Sequence, residues 1–167
     1  MNLNCLSKHF QVKRITEEAV LEVLKLCEGN PLYYQYCPPK ASVESITEDL
    51  KKLPPKKSLE DKFYIGFYDE NQLIAVMDLI LAYPNEYTIF IGFFMLGKEF
   101  QGKGIGSLII NEALDFLKLK YSFVRLGYIL GNEQSEKFWK RLQFLPTGIV
   151  VKEETYSIVV LERKMEE

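Results

Sequence analysis

The sequence predicts an α/β fold built on one mixed, largely antiparallel β-sheet. Segments with the period of strands and segments with the period of helices follow one another in the order β-α-α-β-β-β-α-β-α-β-β. Three strands in mid-chain are joined by short turns, which is typical of an antiparallel meander. One strand-helix-strand crossover follows, and it implies a local parallel pair. A chain of 167 residues corresponds to about one domain, so we expect residues 1–167 to form a single unit.

The first part of the chain contains one predicted strand and two predicted helices. The elements are a strand over residues 10–16, a helix over 17–29, a loop over 30–41 and a helix over 43–53. The strand alternates apolar and polar side chains, and the helices carry apolar residues at helical spacing. Thr16 and Ser42 are the residue types that cap helix N-termini, and each stands at the start of a predicted helix. The loop holds three prolines and three tyrosines (NPLYYQYCPPKA).

The remainder of the chain contains the meander, the crossover and a final hairpin. The elements are strands over residues 62–68, 73–83 and 87–96, a helix over 106–120, a strand over 122–130, a helix over 132–142 and strands over 148–154 and 156–165. The strands are rich in β-branched and aromatic residues, and Gly, Pro, Asn and Asp mark the turns. No repeat or low-complexity tract interrupts this order.

Charge and cysteine usage exclude several functional classes. The formal net charge is −2, which offers no basic surface for a nucleic acid. Cys5, Cys27 and Cys37 have no CxxC spacing and His9 is the single histidine, so we expect no metal site. Isolated cysteines without a disulfide framework fit a reducing compartment, and we expect the protein to be cytoplasmic. No apolar run approaches the roughly 20 residues that span a bilayer, so we expect no membrane partner.

A glycine-rich segment, residues 97–107 (GKEFQGKGIGS), separates the meander from the helix of the crossover. Glycines let successive backbone N–H groups converge and a helix N-terminus attracts anions, so this segment is a candidate phosphate-binding loop. An ATP-binding P-loop requires Ser or Thr where Gly104 stands, and a Rossmann fingerprint requires glycine where Ser107 or Ile109 stands. A turn that only packs the helix against the sheet is the structural alternative.

A third pattern fits the same segment. Gln101-x-x-Gly104-x-Gly106 resembles the acyl-CoA loop of the GNAT superfamily of N-acetyltransferases, and residues 132–144 (NEQSEKFWKRLQF) resemble that family's N-x-x-A-x-x-F-[YW]-x-x-x-G-F motif. The element order also matches the family fold, so the resemblance covers nearly the whole chain. It implies acetyl-CoA as co-substrate and no metal. The residues that it assigns to coenzyme A are Phe94, Met95, Leu96, Gln101, Gly102, Lys103, Gly104, Ile105, Gly106, Ser107, Asn132, Phe138 and Trp139.

Acyl transfer to an amine needs a donor for the thioester oxygen, a base for the amine and a proton for the departing thiolate. The resemblance makes the Phe94 backbone N–H the oxyanion donor. Many relatives carry a Glu base where Phe90 stands. Asp78, which lies in an apolar strand, is therefore the first candidate for the base. Its alternative role is a structural hydrogen bond, and a water chain is another route for the proton. Many relatives also carry a Tyr acid where Trp139 stands. An indole N–H is not an acid at neutral pH, so Tyr128 is the candidate substitute, with a core tyrosine as the alternative.

The aromatic loop between the first two helices is the predicted acceptor-binding segment, since loops on a rigid scaffold often carry function. The candidate acceptor contacts are Tyr33, Tyr34, Tyr36, Tyr83 and Phe93, with Tyr156 as a further aromatic wall. A loop that only covers the core is the alternative. Aromatic walls suit a small-molecule or peptide amine without identifying it, and a homodimer is among the oligomeric states that the sequence leaves open.

The sequence therefore predicts an acetyltransferase that moves an acetyl group from acetyl-CoA directly to an amine. None of the three cysteines lies in a motif typical of an acetyl-enzyme intermediate. A non-catalytic acyl-CoA-binding sensor or interaction module is the alternative, and the missing Glu and Tyr favour it.

Overall fold

A seven-stranded mixed sheet forms the centre of the computed structural model, which describes residues 1–165. The strands are β1 (Gln11–Arg14), β2 (Lys62–Asp69), β3 (Gln72–Ile80), β4 (Thr88–Leu96), β5 (Phe123–Ile129), β6 (Leu145–Lys152) and β7 (Ser157–Lys164). Their order is β1-β2-β3-β4-β5-β7-β6, and every neighbouring pair is antiparallel except β4 and β5. The predicted meander (β2, β3 and β4) and the predicted parallel pair are both confirmed.

Helices cover both faces of the sheet. Within residues 1–165 the α-helices are α1 (Val20–Glu28), α2 (Pro31–Tyr36), α3 (Val43–Asp49), α4 (Ile105–Leu117) and α5 (Glu133–Arg141). The first three lie on one face with one group of core residues, and the last two lie on the other face with a larger group. No helix in this part of the chain has both the length and the apolar character that are needed to cross a bilayer.

Strand β2 shows how the two cores are separated. Successive side chains of a strand point to opposite faces, so Phe63, Ile65 and Phe67 join the α4–α5 core while Tyr64 and Tyr68 join the α1–α3 core. All five side chains are at most 8% exposed, and burial of a side chain of this size contributes about 1.5–3 kcal/mol. A strand buried on both faces has a continuous apolar run in its sequence, as residues 63–68 do.

Residues 31–36 differ from the sequence prediction, because α2 occupies half of the segment that was expected to be a loop. Pro31 stands at the start of this helix, where its fixed φ suits the first turn and its missing N–H costs no hydrogen bond. Tyr33 and Tyr34 then pack against the α1–α3 core. The element order is therefore β-α-α-α-β-β-β-α-β-α-β-β, with one short helix more than predicted.

The two predicted N-caps have different outcomes. Thr16 precedes the 3-10 turn Glu17–Ala19, not α1, and makes no capping hydrogen bond there. Ser42 does cap α3: its side chain accepts from the Ser45 N–H at 3.0 Å, and the Ser45 hydroxyl accepts from the Ser42 N–H at 2.9 Å.

Candidate functional site

Strands β4 and β5 separate along their length and form a fork. Their parallel pairing ends at Ile91 and Leu126. The next residue in each strand is a glycine, Gly92 in β4 and Gly127 in β5. Gly92 is the extra residue of a β-bulge against β3, and a bulge bends its strand. Beyond this point β4 continues its pairing with β3, and β5 continues its pairing with β7.

The backbone of Phe94 faces the open side of the fork. The Gly97 N–H donates to the Ile74 carbonyl oxygen of β3 at 2.8 Å. Neighbouring residues of a strand direct their backbone N–H and C=O groups to opposite sides. The Gly97 N–H points toward β3, so the N–H groups of Phe94 and Leu96, which lie three residues and one residue before it, point to the other side. The Phe94 N–H therefore points into the fork.

The side chain of Phe94 packs against α5. Its ring stacks on Phe138, with centroids 6.0 Å apart and planes 11° apart, and meets Trp139 edge-on at 6.0 Å. Trp139 is 6% exposed and contacts the Phe144 ring at 5.2 Å. Trp139 is therefore a core residue beneath the fork, while Phe138 stays half-buried at its edge.

The glycine-rich loop leads from β4 into the N-terminus of α4. Gly102 and Gly104 have φ angles of 73° and 80°, a region that side-chain-bearing residues rarely adopt. A Cβ atom at either glycine would meet no atom within 4 Å, so both backbones border open space. A Cβ atom at Gly106 would lie 3.2 Å from the Phe138 ring, so this glycine allows α4 and α5 to pack closely. The loop thus presents backbone at a helix N-terminus, as an anion site requires.

Gln101 and Lys103 turn their side chains toward the protein. Gln101 Nε2 donates to the Leu96 carbonyl oxygen at 2.9 Å and to Asn30 Oδ1 at 2.7 Å. Asn30 Nδ2 donates to the same carbonyl oxygen at 3.2 Å. Lys103 Nζ donates to the Glu99 carbonyl oxygen at 2.8 Å. These bonds fix the loop to the end of β4. The sequence carried no signal that Asn30 would form two of them.

Other predicted coenzyme contacts can offer mainly backbone atoms. Met95 is buried on the α1 face of the sheet and Leu96 on the α4 face. Ile105 is half-buried against the α4–α5 core, and Ser107 is half-buried in the first turn of α4. Only the Ser107 hydroxyl among these side chains could bind a phosphate.

Asn132 and Tyr128 lie on the α5 side of the fork. Asn132 is 4% exposed, and its side-chain oxygen accepts from the Ser135 N–H at 3.1 Å, so it caps α5. Tyr128 follows Gly127 in β5 and belongs to the α4–α5 core. Burial raises the pKa of the Tyr128 phenol, and the neighbouring Glu136 carboxylate raises it further. The phenol is therefore protonated at neutral pH.

A cleft of about 570 Å³ opens on the face of the fork opposite α4 and α5. Its walls come from α1, α2, α3, the loop after α2 and the β6–β7 hairpin. Both fork glycines, Gly92 and Gly127, belong to its lining, so the cleft reaches the point where β4 and β5 separate. We call this space the acceptor cleft, after the role that the sequence predicts for its aromatic residues.

Aromatic side chains form much of the acceptor cleft. The predicted residues in its lining are Tyr33, Tyr34, Tyr83, Phe93 and Tyr156. The structure adds Tyr64, which β2 directs to this face. Tyr36 does not belong to the lining; its ring is 3.9 Å from the Cβ position of Gly131, on the connection between β5 and α5. Tyr36 is the last residue of α2, and it lies beside the connection between β5 and α5 instead of the cleft.

Asp78 brings a carboxylate to the floor of the acceptor cleft. A Cβ atom at Gly92 would lie 2.9 Å from Asp78 Oδ2, so the carboxylate lies against the fork. Lys62 Nζ donates to Oδ1 at 2.8 Å and to Oδ2 at 2.7 Å, and its side chain is 2% exposed. Burial raises the pKa of Asp78, while the charge and hydrogen bonds of Lys62 lower it; the pKa lies above its ordinary value.

Lys62 was not identified from the sequence. The available signal was a lone lysine at the start of one apolar strand and a lone aspartate within the next. Their pairing follows from the β2–β3 register, in which Tyr64 is opposite Asp78 and Lys62 is two residues away. The ion pair gives Asp78 the structural role that the sequence left open, at a position that lines the acceptor cleft.

Asp49 adds a second carboxylate to the acceptor cleft. Burial raises its pKa, and Lys52 and Lys62 partly oppose that effect. Cys37 also lines the cleft, and it raises the pKa of the Tyr33 and Tyr156 phenols after the larger effect of burial. Among residues 1–165, no group of three or more His, Cys, Asp or Glu side chains is placed to hold a metal ion.

Solved structures share this fold. An acetyltransferase from Thermus thermophilus has a TM-score of 0.75 at 14% identity, covering 93% of this chain and 96% of that one. The ribosomal-protein-S5-alanine acetyltransferase from Vibrio fischeri has a TM-score of 0.68 at 20% identity, covering 96% and 95%. The PaiA N-acetyltransferase from Thermoplasma acidophilum, solved in complex with coenzyme A, has a TM-score of 0.66 at 17% identity, covering 93% and 98%.

Sequence comparison identifies the family. None of the curated proteins compared with this chain matches it significantly. Residues 23–144 match the sequence profile of the acetyltransferase (GNAT) family, and this match covers more than half of the chain. It includes the fork, the glycine-rich loop, α4 and α5. The chain belongs to the acetyltransferase (GNAT) family.

Proposed function

We propose that this protein is an N-acetyltransferase that moves an acetyl group from acetyl-CoA directly to an amine of a small molecule or peptide. The observation that carries the proposal is the fork between β4 and β5. An open glycine-rich loop leads from β4 to a helix N-terminus on one side of the fork, and a carboxylate lies against the fork in an aromatic cleft on the other side. This arrangement would bring an acyl donor and an amine together at one point.

The glycine-rich loop fits the pyrophosphate of an acyl-CoA. Gly102 and Gly104 border open space, and the first turn of α4 offers backbone N–H groups and the positive end of a helix dipole. Acetyl-CoA would supply an acetyl group activated as a thioester. The exposed backbone of β4 offers hydrogen bonds to the amide groups of the pantetheine arm, and Phe138 and Asn132 border the same side of the fork.

The Phe94 N–H is the proposed donor to the carbonyl oxygen of the thioester. It points into the fork from a strand that the β3 ladder holds in place. A preorganised donor of this kind contributes about 2.7–4 kcal/mol to transition-state stabilisation. Because the donor is a backbone group, the apolar side chain at this position is no obstacle.

Asp78 is the proposed base, and Tyr128 is the proposed donor to the thiolate. The amine nitrogen forms a bond to the carbonyl carbon, the carbon–sulfur bond breaks, and its electron pair stays on sulfur. Asp78 accepts the proton that the nitrogen loses, and Tyr128, which is protonated at neutral pH, gives a proton to sulfur. The two groups occupy opposite faces of the fork, as the two proton transfers require.

A non-catalytic acyl-CoA-binding module is the second candidate. Trp139 lies in the core where many relatives carry a Tyr acid, and Asp78 is bound by Lys62 through both oxygens. These two observations favour binding without turnover. The two candidates differ in whether any amine accelerates the release of free thiol from acetyl-CoA.

The test measures thiol release from acetyl-CoA with a broad amine panel, together with the Kd of CoA. We expect turnover, and we expect Asp78→Asn to lower kcat by about 10²–10⁴-fold while the Kd of CoA is unchanged. Asp115→Asn is the matched control, because the Asp115 side chain is 65% exposed on α4 and should leave both quantities unchanged. Tight CoA binding without thiol release on the whole panel would contradict the proposal and support the binding module.

A further inference from the structure

Asp49 is the last residue of α3 and faces the acceptor cleft. The C-terminal end of a helix carries partial negative charge, so an aspartate there is unfavourable for the helix. Glu48 precedes it and adds a like charge, which also raises the pKa of Asp49 after the larger effect of burial. None of the ion pairs formed by residues 1–165 includes Asp49. Helix stability therefore does not explain this carboxylate.

Asp49 shares the lining of the acceptor cleft with Tyr33 and Tyr64. Burial raises the pKa values of the Tyr33 and Tyr64 phenols, and the charge of Asp49 raises both further. Asp49 itself remains exposed to the cleft. The carboxylate is thus partly desolvated among aromatic side chains and still open to a ligand.

The other charges of the acceptor cleft distinguish Asp49 from Asp78. Asp78 is held through both oxygens by Lys62. The remaining charged lining residues are Lys40, Lys52 and Glu153, all of which are exposed. Lys52 and Lys62 lower the pKa of Asp49 against the larger effect of burial, but neither forms an ion pair with it, and Lys62 pairs with Asp78. Among the charged lining residues, the carboxylates outside any ion pair within residues 1–165 are Asp49, on α3, and Glu153, in the connection between β6 and β7. Asp49 is the one whose charge acts on Tyr33, Tyr64 and Asp78.

We infer that Asp49 selects acceptors that carry a second positive charge beyond the amine that reacts. This inference rests on the proposed function, because it assigns Asp49 to the acceptor side of the same site. A carboxylate and tyrosine rings in one cleft supply the chemistry that binds an organic ammonium. With one ammonium at Asp49, the same molecule can direct its other amine toward Asp78 and the fork. Linear diamines, and amines that lie near a basic group in a larger molecule, belong to this class.

The test compares three acceptors of equal chain length with the whole protein and acetyl-CoA. They are diaminobutane, butylamine and aminobutanoate, whose far ends are positive, neutral and negative. We expect kcat/KM for diaminobutane to exceed that for butylamine by about tenfold or more, since tenfold corresponds to about 1.4 kcal/mol of charge-assisted binding. Asp49→Asn should bring this ratio close to one through a higher KM for the diamine. Glu48→Gln, a neighbouring loss of one charge outside the cleft lining, should preserve the ratio.

Charge reversal provides a second and sharper measurement. Asp49→Lys should lower kcat/KM for diaminobutane and raise it for aminobutanoate, so that the order of the two acceptors inverts. A variant that merely damaged the cleft would lower the values for all three acceptors together. An unchanged preference for the diamine in Asp49→Asn, or no preference in the natural protein, would overturn the inference.

Calorimetric titration separates this inference from the proposed function. Diaminobutane binding to the protein saturated with CoA should weaken about tenfold in Asp49→Asn and not in Glu48→Gln. If no amine is acetylated but this binding difference is found, the proposed function fails while the role of Asp49 stands. If amines are acetylated and the binding difference is missing, the proposed function stands and the role of Asp49 is wrong.

Discussion

Lys62 Nζ lies 2.8 Å and 2.7 Å from the two carboxylate oxygens of Asp78. The lysine side chain is 2% exposed and the aspartate side chain is 14% exposed, so water solvates neither charge well. Gly92 stands on the other side of the carboxylate, where a Cβ atom would lie 2.9 Å from Oδ2. Lys62 thus holds the Asp78 carboxylate at the fork, in the space that the absence of a side chain at Gly92 leaves free.

Lys62→Met should raise the pKa of Asp78, because burial already raises it and Lys62 is the main opposing effect. A base is active only when ionised, so the rise of kcat/KM with pH should move to higher pH. Removing one partner of a buried pair should also destabilise the fold by about 3–5 kcal/mol when the carboxyl is ionised. The folded state then favours the protonated carboxyl, so stability should fall as pH rises through the raised pKa. Urea unfolding at several pH values and the pH profile of acetyl transfer measure these effects.

Lys137→Met is the control for that substitution. Lys137 pairs with Glu133 at 3.0 Å, but both side chains are more than 70% exposed. An exposed pair contributes about 1 kcal/mol or less, and this one does not touch the fork. Equal pH profiles for Lys62→Met and the natural protein would contradict the role of the Lys62–Asp78 pair.

Gly104→Asp should weaken CoA binding about tenfold or more, which corresponds to about 1.4 kcal/mol. The new carboxylate would enter open space at the N-terminus of α4, where we propose that the pyrophosphate binds. Gly104→Asn is the matched comparison, because Asn has nearly the same size and also tolerates a positive φ. Calorimetric titration with CoA gives both affinities. Equal affinities for the Asp and Asn variants would contradict the assignment of the loop.

Trp139→Phe should lower stability more than activity. Trp139 contacts three aromatic rings in the core, and its indole N–H is not an acid at neutral pH. We expect a loss of about 1–3 kcal/mol in the free energy of unfolding, measured in urea, with kcat close to that of the natural protein.

Tyr128→Phe is the informative partner of that variant. It removes only a hydroxyl, so we expect a lower kcat with an unchanged Kd for CoA and a smaller change in stability than Trp139→Phe causes. The reverse result, in which Trp139→Phe abolishes turnover and Tyr128→Phe leaves kcat unchanged, would disprove the assignment of Tyr128.

The glycine-rich loop shows what the sequence could predict. Glycines at fixed spacing before an apolar helical pattern are a local signal, and the loop conformation depends on those residues themselves. Gly102 and Gly104 adopt positive φ angles, as residues without a Cβ atom can at no steric cost. The antiparallel meander was also predictable, because short turns leave adjacent strands few other arrangements.

The floor of the acceptor cleft shows what the sequence could not predict. The contact between Lys62 and Asp78 depends on the register of β2 against β3, and a shift of one residue would place the two side chains on opposite faces. The bulge at Gly92 is likewise a property of paired strands. The helix at residues 31–36 was missed because prolines and tyrosines indicate a loop locally, whereas the core contacts of Tyr33 and Tyr34 stabilise a helix.

Asn30 and Gln101 should act as one unit in holding the glycine-rich loop. They share a hydrogen bond of 2.7 Å, and both donate to the Leu96 carbonyl oxygen. Replacing either with Ala leaves polar groups of the other unpaired in a half-buried place, which costs about 1–3 kcal/mol. The double variant removes both partners, so its loss of stability should be less than the sum of the two single losses by about 0.5 kcal/mol or more.

A double-mutant cycle on Asn30→Ala and Gln101→Ala measures this coupling twice, by urea unfolding and by the Kd of CoA. Since the shared bonds fix the start of the loop, we expect coupling in both quantities. Gln72→Ala is the control, because Gln72 reaches Glu99 of the same connection through an exposed bond of 3.3 Å, which should contribute little. Additive losses in stability would show that the two side chains do not act together. Coupling in stability with an unchanged Kd of CoA would show that the anchor supports the fold without positioning the loop for its ligand.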